Sequence, residues 1–163
     1  MRCAALGLLL ALAVSPALAD PVCGKLAFPL DHERALLNAP GTAVRSGEIL
    51  GVLPDQALAL VLKPTGDAKL PYGAAKPGDP AKFAGYFRLT PPMAGDYLVS
   101  LSSEGWIDVF QDGAEVTSTA HTGDPDCPGL RKSVRFTLSA RPVTVEISNA
   151  PAAGIAVAVT PVR

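Results

Sequence analysis

The chain contains few of the residues, and none of the short motifs, on which common enzyme mechanisms depend. Its 163 residues include two histidines, three cysteines and one tryptophan. The sequence has no G-x-S-x-G nucleophile elbow, no phosphate-binding P-loop, no G-x-G-x-x-G turn after a strand, no C-x-x-C-H haem attachment site and no H-E-x-x-H zinc helix. Each absence removes a class of catalyst, and no remaining motif indicates a substrate or a reaction.

An excess of one charge and long apolar runs are also lacking. The chain has 14 Lys and Arg residues against 15 Asp and Glu, and its basic residues do not cluster with aromatic ones. Nothing therefore attracts a phosphate backbone or an anionic membrane surface, and nucleic acid is not expected as a partner. A transmembrane helix needs about 20 apolar residues. No segment is that long, so no membrane partner is expected after removal of the leader.

Residues 1–19 have the pattern of a secretory signal peptide. Arg2 precedes an apolar run at 4–14, and an A-x-A cleavage site ends at Ala19. Asp20, and not a cysteine, follows this site, so a lipid anchor is not expected. The pattern predicts a periplasmic or secreted protein.

Two cysteines, Cys23 and Cys127, remain once Cys3 leaves with the leader. In an oxidising compartment they most simply pair with each other. The bond would close a loop of about 100 residues, which in the chain-entropy model stabilises the fold by up to about 4 to 5 kcal/mol. The alternative is a pair of free thiols that binds a metal, but neither cysteine has a partner at C-x-x-C or C-x-x-H spacing.

Residues 20–80 form the loop-rich first part of a single predicted domain. Residues 57–62 have the length and the proline boundaries of a buried strand, although their Ala and Leu content would also allow one or two helical turns. Residues 63–80 contain so much proline and glycine that we expect a long surface loop.

Residues 81–163 form the second part of the domain, in which apolar and polar residues alternate as in β-strands. Asp112-Gly113 is the sequence of a type I′ hairpin turn, and a Gly95-Asp96 turn is expected before the second strand. No long segment has a 3.6-residue apolar period, so helices should be few. The pattern predicts an all-β fold, an antiparallel β-sandwich of the jelly-roll type. The expected strands are 86–89, 97–101, 106–110, 115–120, 133–138, 143–147 and 155–159.

The loop at 120–129 gathers several residues that can ligate metals. His121 with Asp124 or Asp126 could hold a divalent metal, and the two carboxylates with backbone carbonyls could hold calcium. The alternative is that the aspartates and glycines form turns and that His121 hydrogen-bonds a neighbour. No other cofactor is expected.

The strand that contains the single tryptophan carries the second candidate site. If Trp106, Asp108 and Phe110 face outward, they form an aromatic platform with a carboxylate, as sugar-binding sandwiches do. If they face inward, the rings belong to the core and Asp108 is a buried acid that needs a partner. We predict a bond from Asp108 to His121 or to Arg131-Lys132.

Residues 83–162 resemble the bacterial pre-peptidase C-terminal modules. The resemblance rests on an aromatic strand, the segment 94–101, the hairpin at 108–113 and the closing Val-Thr-Val-Glu-Ile at 143–147. These modules are secreted accessory domains that are commonly appended to enzymes. The resemblance implies a jelly-roll sandwich with a binding or structural role.

The segments 105–109, 119–123 and 126–136 are also similar to small exported proteins of alphaproteobacteria without an assigned function. Chains of this kind sometimes carry the name homogentisate 1,2-dioxygenase. An iron dioxygenase of that type needs two histidines and a carboxylate on one face of the metal.

The chemistry of this chain provides few ligands for such a centre. His32 and His121, with Asp31, Glu33 or Glu104 as the acid, would use every histidine and leave none for proton transfer. There is also no H-x-E or H-x-D spacing, and the enzymes of that name are much longer. The dioxygenase is therefore a remote alternative.

Two functions follow from these patterns. The first is an exported binding or accessory module without catalytic activity of its own, whose partner is a small molecule, a glycan or a protein. The second is a small metal-binding protein built on residues 121–127. The ligand-binding residues expected for the module are Trp106, Asp108, His121, Arg131 and Lys132.

Overall fold

A computed structural model of the chain describes residues 23–73 and 78–162. The predicted leader at 1–19, and residues 74–77 of the predicted surface loop, lie outside the described residues. The elements are helix α1 (Asp31–Asn38) and the strands β1 (Thr42–Arg45), β2 (Glu48–Ile49), β3 (Leu58–Val61), β4 (Lys63–Pro64), β5 (Phe83–Leu89), β6 (Gly95–Leu101), β7 (Trp106–Gln111), β8 (Ala114–Glu115), β9 (Ser118–Gly123), β10 (Lys132–Leu138), β11 (Val143–Ala150) and β12 (Gly154–Pro161).

The described strands form two sheets that pack face to face. Sheet A has the order β1-β3-β12-β6-β10-β9, and sheet B has the order β2-β5-β11-β7-β8, with β4 paired to β5. The predicted all-β sandwich is confirmed. Most neighbours are antiparallel, but β1 pairs with β3 and β2 with β5 in parallel. Strands from before residue 80 join both sheets, so the two parts of the chain share one sandwich.

The core lies between the sheets and follows the predicted alternation. On β10, Val134, Phe136 and Leu138 are buried, whereas Thr137 between them is exposed. Inward side chains of both sheets form one hydrophobic cluster. Burial of apolar surface, which contributes about 25 cal/mol per Å², stabilises the packing of the two sheets. Strand β3 is also confirmed, with Leu58 and Leu60 facing inward.

One turn and one strand differ from the sequence-based expectations. The Asp112-Gly113 turn is confirmed, with positive φ at both residues, 53° and 82°. The predicted return strand at 115–120 is wrong: β8 ends at Glu115, and β9 at 118–123 pairs with β10 in the other sheet. Gly95 and Asp96 already pair with β10, so the predicted turn there is wrong as well.

The segment before β1 covers the outer face of sheet A. Its helix α1 begins with two acids in the first turn, Asp31 and Glu33, which suit the positive end of the helix dipole. The helix ends just before Ala39, which precedes Pro40 and is extended, because a residue before proline disfavours helical backbone. Leu30 and Leu37 pack with Leu98 of β6 in a second hydrophobic cluster.

A disulfide holds this covering segment in place. Cys23 and Cys127 are bonded, with their Cα atoms 4.6 Å apart. The predicted pairing is confirmed, and it joins the start of the described chain to the turn that follows β9. Among the described residues, no helix is long and apolar enough to cross a membrane.

Candidate functional site

The sandwich is open along the edge where β9 and β7 face each other. β8 pairs with β7 only at Phe110 and Gln111, so the first part of β7 has no strand beside it on this side. Val116 donates a backbone hydrogen bond to Val109 at 2.7 Å, after which the chain leaves sheet B for β9. The two sheets therefore separate here around a cavity of about 430 Å³. It is lined by Trp106, Ile107, Asp108, Val109, Glu115, Val116, Ser118, His121, Lys132, Val134 and Phe136.

Strand register explains which side chains reach this cavity. Lys132, Val134 and Phe136 are two residues apart on β10 and therefore point to the same side of sheet A. His121 lies opposite Val134, and Ser118 opposite Phe136 after a bulge in β9. Cross-strand neighbours share a face, so these five side chains form one wall.

A second cavity, of about 300 Å³, adjoins the first. Trp106, His121 and Lys132 line both, and we refer to the two cavities together as the edge cleft. Most of the residues that line the smaller cavity are polar or charged. It is lined by Glu104, Gly105, Trp106, His121, Thr122, Gly123, Arg131, Lys132 and Asn149.

Trp106 is held at this junction by a charged residue on each side. The Lys132 Nζ atom lies 4.4 Å from the centroid of the indole ring, which is a cation–π contact. The indole Nε1 donates a hydrogen bond of 3.1 Å to Asp108 Oδ1. Lys132 Nζ is also 3.4 Å from the carbonyl oxygen of Gly105. The indole is thus one partner of Asp108, and the expected bond from Asp108 to His121 or to Arg131-Lys132 stays a prediction.

The orientation of the Trp106 strand combines both expected alternatives. Ile107 and Val109 belong to the core, so Trp106, Asp108 and Phe110 occupy the opposite face of β7. Yet Asp108 is only 4% exposed and Phe110 only 8%. Tyr72 covers the Phe110 end of this outward face, since its ring stacks on Phe110 with the centroids 4.3 Å apart.

All five predicted ligand-binding residues line the edge cleft. Trp106, His121, Arg131 and Lys132 line the smaller cavity, and Asp108 lines the larger one. Sequence reasoning missed the apolar wall formed by Val109, Val116, Val134 and Phe136. The strand pattern marked Val134 and Phe136 as inward residues, but it carried no signal that the sandwich is open beside them.

The predicted metal ligands are divided between the two faces of sheet A. His121 faces the cleft, whereas its neighbour Thr122 accepts a hydrogen bond from the Ala27 backbone on the other side. Asp124 lies on that other side: its carboxylate accepts hydrogen bonds from the backbone nitrogens of Lys25, at 3.2 Å, and Asp126, at 3.0 Å. The residues that the structure describes contain no group of three His, Cys, Asp or Glu side chains that could hold a metal ion.

Asp124 and Asp126 fasten the N-terminal segment to the turn after β9. The Lys25 amino group donates a hydrogen bond to Asp126 and lies 3.9 Å from Asp124. The bond from Lys25, together with its positive charge, lowers the pKa of Asp126. The predicted loop at 120–129 is thus a strand up to Gly123, followed by a turn in which the two carboxylates bind protein groups.

A buried pair of carboxylates on the outer face of sheet B was not expected. Glu146 of β11 pairs in register with Asp108 and with Tyr86 of β5, and its side chain is 0% exposed. Its Oε1 accepts a hydrogen bond of 2.9 Å from the Tyr72 backbone, whereas its Oε2 has no partner. Burial, helped by the charge of Asp108, raises the pKa of Glu146.

The two histidines required by an iron dioxygenase lie at different places. His32, at the start of α1, lines two cavities on the outer side of sheet A and at its end. His121 lines the edge cleft, and His32 lines neither cavity of this cleft. The ligands that the remote alternative would use are therefore not brought together.

Comparison with known proteins adds no relative. No protein-family model matches the chain, and neither the curated proteins nor the solved structures include one that is significantly similar to it.

Proposed function

We propose that the protein is an exported binding module, a jelly-roll β-sandwich of the periplasm or the extracellular space that binds a small ligand in the edge cleft. It has no catalytic activity of its own. The observation that carries the proposal is the cavity of about 430 Å³ with Trp106, His121 and Lys132 at its junction with the smaller cavity. Ligand sites are typically concave, mostly apolar and equipped with a few polar groups.

A small, mainly apolar ligand fits this site better than a glycan does. A sugar stacks on an open aromatic face, but the face of Trp106 carries the Lys132 amino group at 4.4 Å. Farther inside, the walls are made of Ile107, Val109 and Val134. Apolar surface of this kind gains free energy by excluding water.

The test is a titration of the purified protein with N-phenyl-1-naphthylamine, a neutral dye that fluoresces in apolar sites. We expect saturable binding that also changes the emission of Trp106, the single tryptophan. Ser118→Phe should weaken binding by about tenfold or more, because the ring fills the cavity.

Thr119→Phe is the matched control. Thr119 is the next residue of β9, is exposed and does not line the cleft. Unchanged circular dichroism and melting temperature would show that both variants fold. Absence of saturable dye binding, or equal affinities for the two folded variants, would refute the proposed function.

A further inference from the structure

Strand β9 supplies hydrogen-bonding groups to the wall of the edge cleft. Ser118 and His121 line the larger cavity, and both are exposed. Neither side chain forms a hydrogen bond or an ion pair within the described part of the chain. Both groups can therefore bond a molecule that enters the cavity.

The other polar groups of the larger cavity are two acids, an amino group and the indole. Asp108 accepts a hydrogen bond from the Trp106 indole, and the Lys132 amino group lies on the same ring. Opposite charges beside one ring offset each other, so this cluster attracts neither anions nor cations strongly. Glu115 is exposed, and water screens its charge.

This balance of charge favours a neutral ligand. An ion that enters a cavity loses its hydration, and that cost is recovered only where an opposite charge is placed to bind it. The remaining residues that line the larger cavity offer none, since they are Ile107, Val109, Val116, Val134 and Phe136. A neutral molecule does not incur this cost.

The spacing of the two β9 groups suits one shared ligand oxygen. His121 lies opposite Val134 and Ser118 opposite Phe136, and these partners are two residues apart on β10, which is about 7 Å. Two hydrogen bonds of about 2.8 Å that meet at one oxygen span nearly this distance. The imidazole can donate through a ring N–H, and the serine hydroxyl can accept. A hydroxyl group, which accepts the one bond and donates the other, matches the pair.

We propose that the ligand of the edge cleft is a neutral apolar molecule with a hydroxyl group, such as a phenol or a naphthol. Its hydroxyl accepts a hydrogen bond from the His121 imidazole and donates one to the Ser118 Oγ atom, while its hydrocarbon part packs on Val109 and Val116. A purely apolar ligand would cover the two β9 groups without giving them a partner, which costs free energy. This inference rests on the proposed function and specifies the ligand class, with His121 as the specificity-determining residue.

The test compares four ligands with the same naphthalene frame: 2-naphthol, 2-methylnaphthalene, 2-naphthoate and 2-naphthylmethylammonium. Each is titrated by equilibrium dialysis and by displacement of the neutral dye. The methyl compound has about the size of the naphthol but enters apolar surroundings more readily, so a cleft without hydrogen-bonding groups would prefer it. We expect the wild-type protein to bind 2-naphthol at least as tightly as the methyl compound and to bind the two charged compounds more weakly than either.

His121→Leu is the decisive variant, because it keeps an apolar side chain and removes the imidazole. It should lower the ratio of the affinity for 2-naphthol to that for 2-methylnaphthalene by about fivefold. Ser118→Ala should lower the same ratio, and His121→Gln, which keeps a donor, should retain part of it. His32→Leu is the control, since His32 is exposed and lines neither cavity. Unchanged circular dichroism and melting temperature would show that the variants fold.

The outcomes separate the two proposals. If the dye binds but 2-methylnaphthalene or a charged compound binds more tightly than 2-naphthol, or if His121→Leu leaves the ratio unchanged, the hydroxyl-bearing ligand is refuted and the binding module stands. If neither the dye nor any of the four compounds binds, the proposed function fails and this inference fails with it.

Discussion

Glu146 is the residue whose chemistry departs most from that of an ordinary surface acid. It has no solvent exposure and lies in register with Asp108, and its Oε2 lacks a hydrogen-bond partner. Burial of an ionised carboxylate costs free energy unless the charge is paired, so the protonated form is favoured. Polar residues on a strand are usually read as solvent-facing, so the strand pattern indicated Asp108 as a possible buried acid but not Glu146.

Stability should therefore fall as the pH rises through the titration of Glu146. The unfolded state releases the proton near its usual pKa of 4.5, whereas the folded state keeps it to a higher pH, so ionisation favours unfolding. Glu146→Gln keeps an oxygen for the Tyr72 bond and removes the charge. Urea unfolding at about pH 4 and about pH 7 should show a smaller loss of stability for the variant than for the wild type.

The exposed Glu104 provides the control for this experiment. Glu104→Gln should keep the pH dependence of the wild type, because this residue is not buried. A Glu146→Gln protein with the same pH slope as the wild type would contradict the argument.

At the level of elements, the hairpin β7–β8 creates the edge cleft by being short. Its two-residue turn is fixed by local chemistry, since both central residues need positive φ. The return strand then ends at Glu115, and the chain crosses to sheet A as β9. Strand propensity indicates that 118–123 is extended, but it does not show which sheet receives a strand, because pairing depends on residues far along the chain.

Gly113→Ala tests the turn. The φ of Gly113 is 82°, and a Cβ there would meet nothing within 4 Å, so the cost is conformational and amounts to about 1 kcal/mol. Gly95→Ala is the matched control, because Gly95 also has open space but no positive φ. Chemical denaturation should show a loss for Gly113→Ala and none for Gly95→Ala. Equal effects would mean that the turn geometry does not determine the cost.

In the molecule as a whole, the disulfide and the N-terminal segment turn a two-layer sandwich into a partly covered one. The bond spans 104 residues of sequence. Beside it, Thr122 and Asp124 receive backbone hydrogen bonds from Ala27 and Lys25. No residue of the covering segment at 23–39 lines either cavity of the edge cleft, so this layer supports β9 without entering the site.

The double variant Cys23→Ala, Cys127→Ala should be destabilised by up to about 4 to 5 kcal/mol, the chain-entropy value for a loop of this size. The measurement is urea unfolding with and without a reductant. Reduction should lower the stability of the wild type to that of the variant and leave the variant unchanged. A reductant effect on the variant, or none on the wild type, would contradict this role of the bond.

Much of the fold could be predicted from the local sequence pattern. The alternation of residues 133–138 fixed the inward face of β10, and the Asp112-Gly113 pair fixed a turn. With two cysteines left after the predicted leader, the pairing of Cys23 with Cys127 was the simplest outcome. Each of these inferences depends on neighbouring residues or on the number of cysteines, and the sequence alone contains that information.

The candidate site required the tertiary structure. Trp106, His121 and Lys132 were singled out by residue type. Their common position depends on β9 and β10 lying opposite the part of β7 that has no strand on its other side. The same packing placed Asp124 on the opposite face from His121 and buried Glu146 beside Asp108. The sequence by itself determined most strands, one turn and the disulfide. Strands and turns depend on neighbouring residues, and the disulfide followed from the presence of only two cysteines after the predicted leader. Which surfaces meet, and where the sandwich stays open, was decided only by long-range strand pairing.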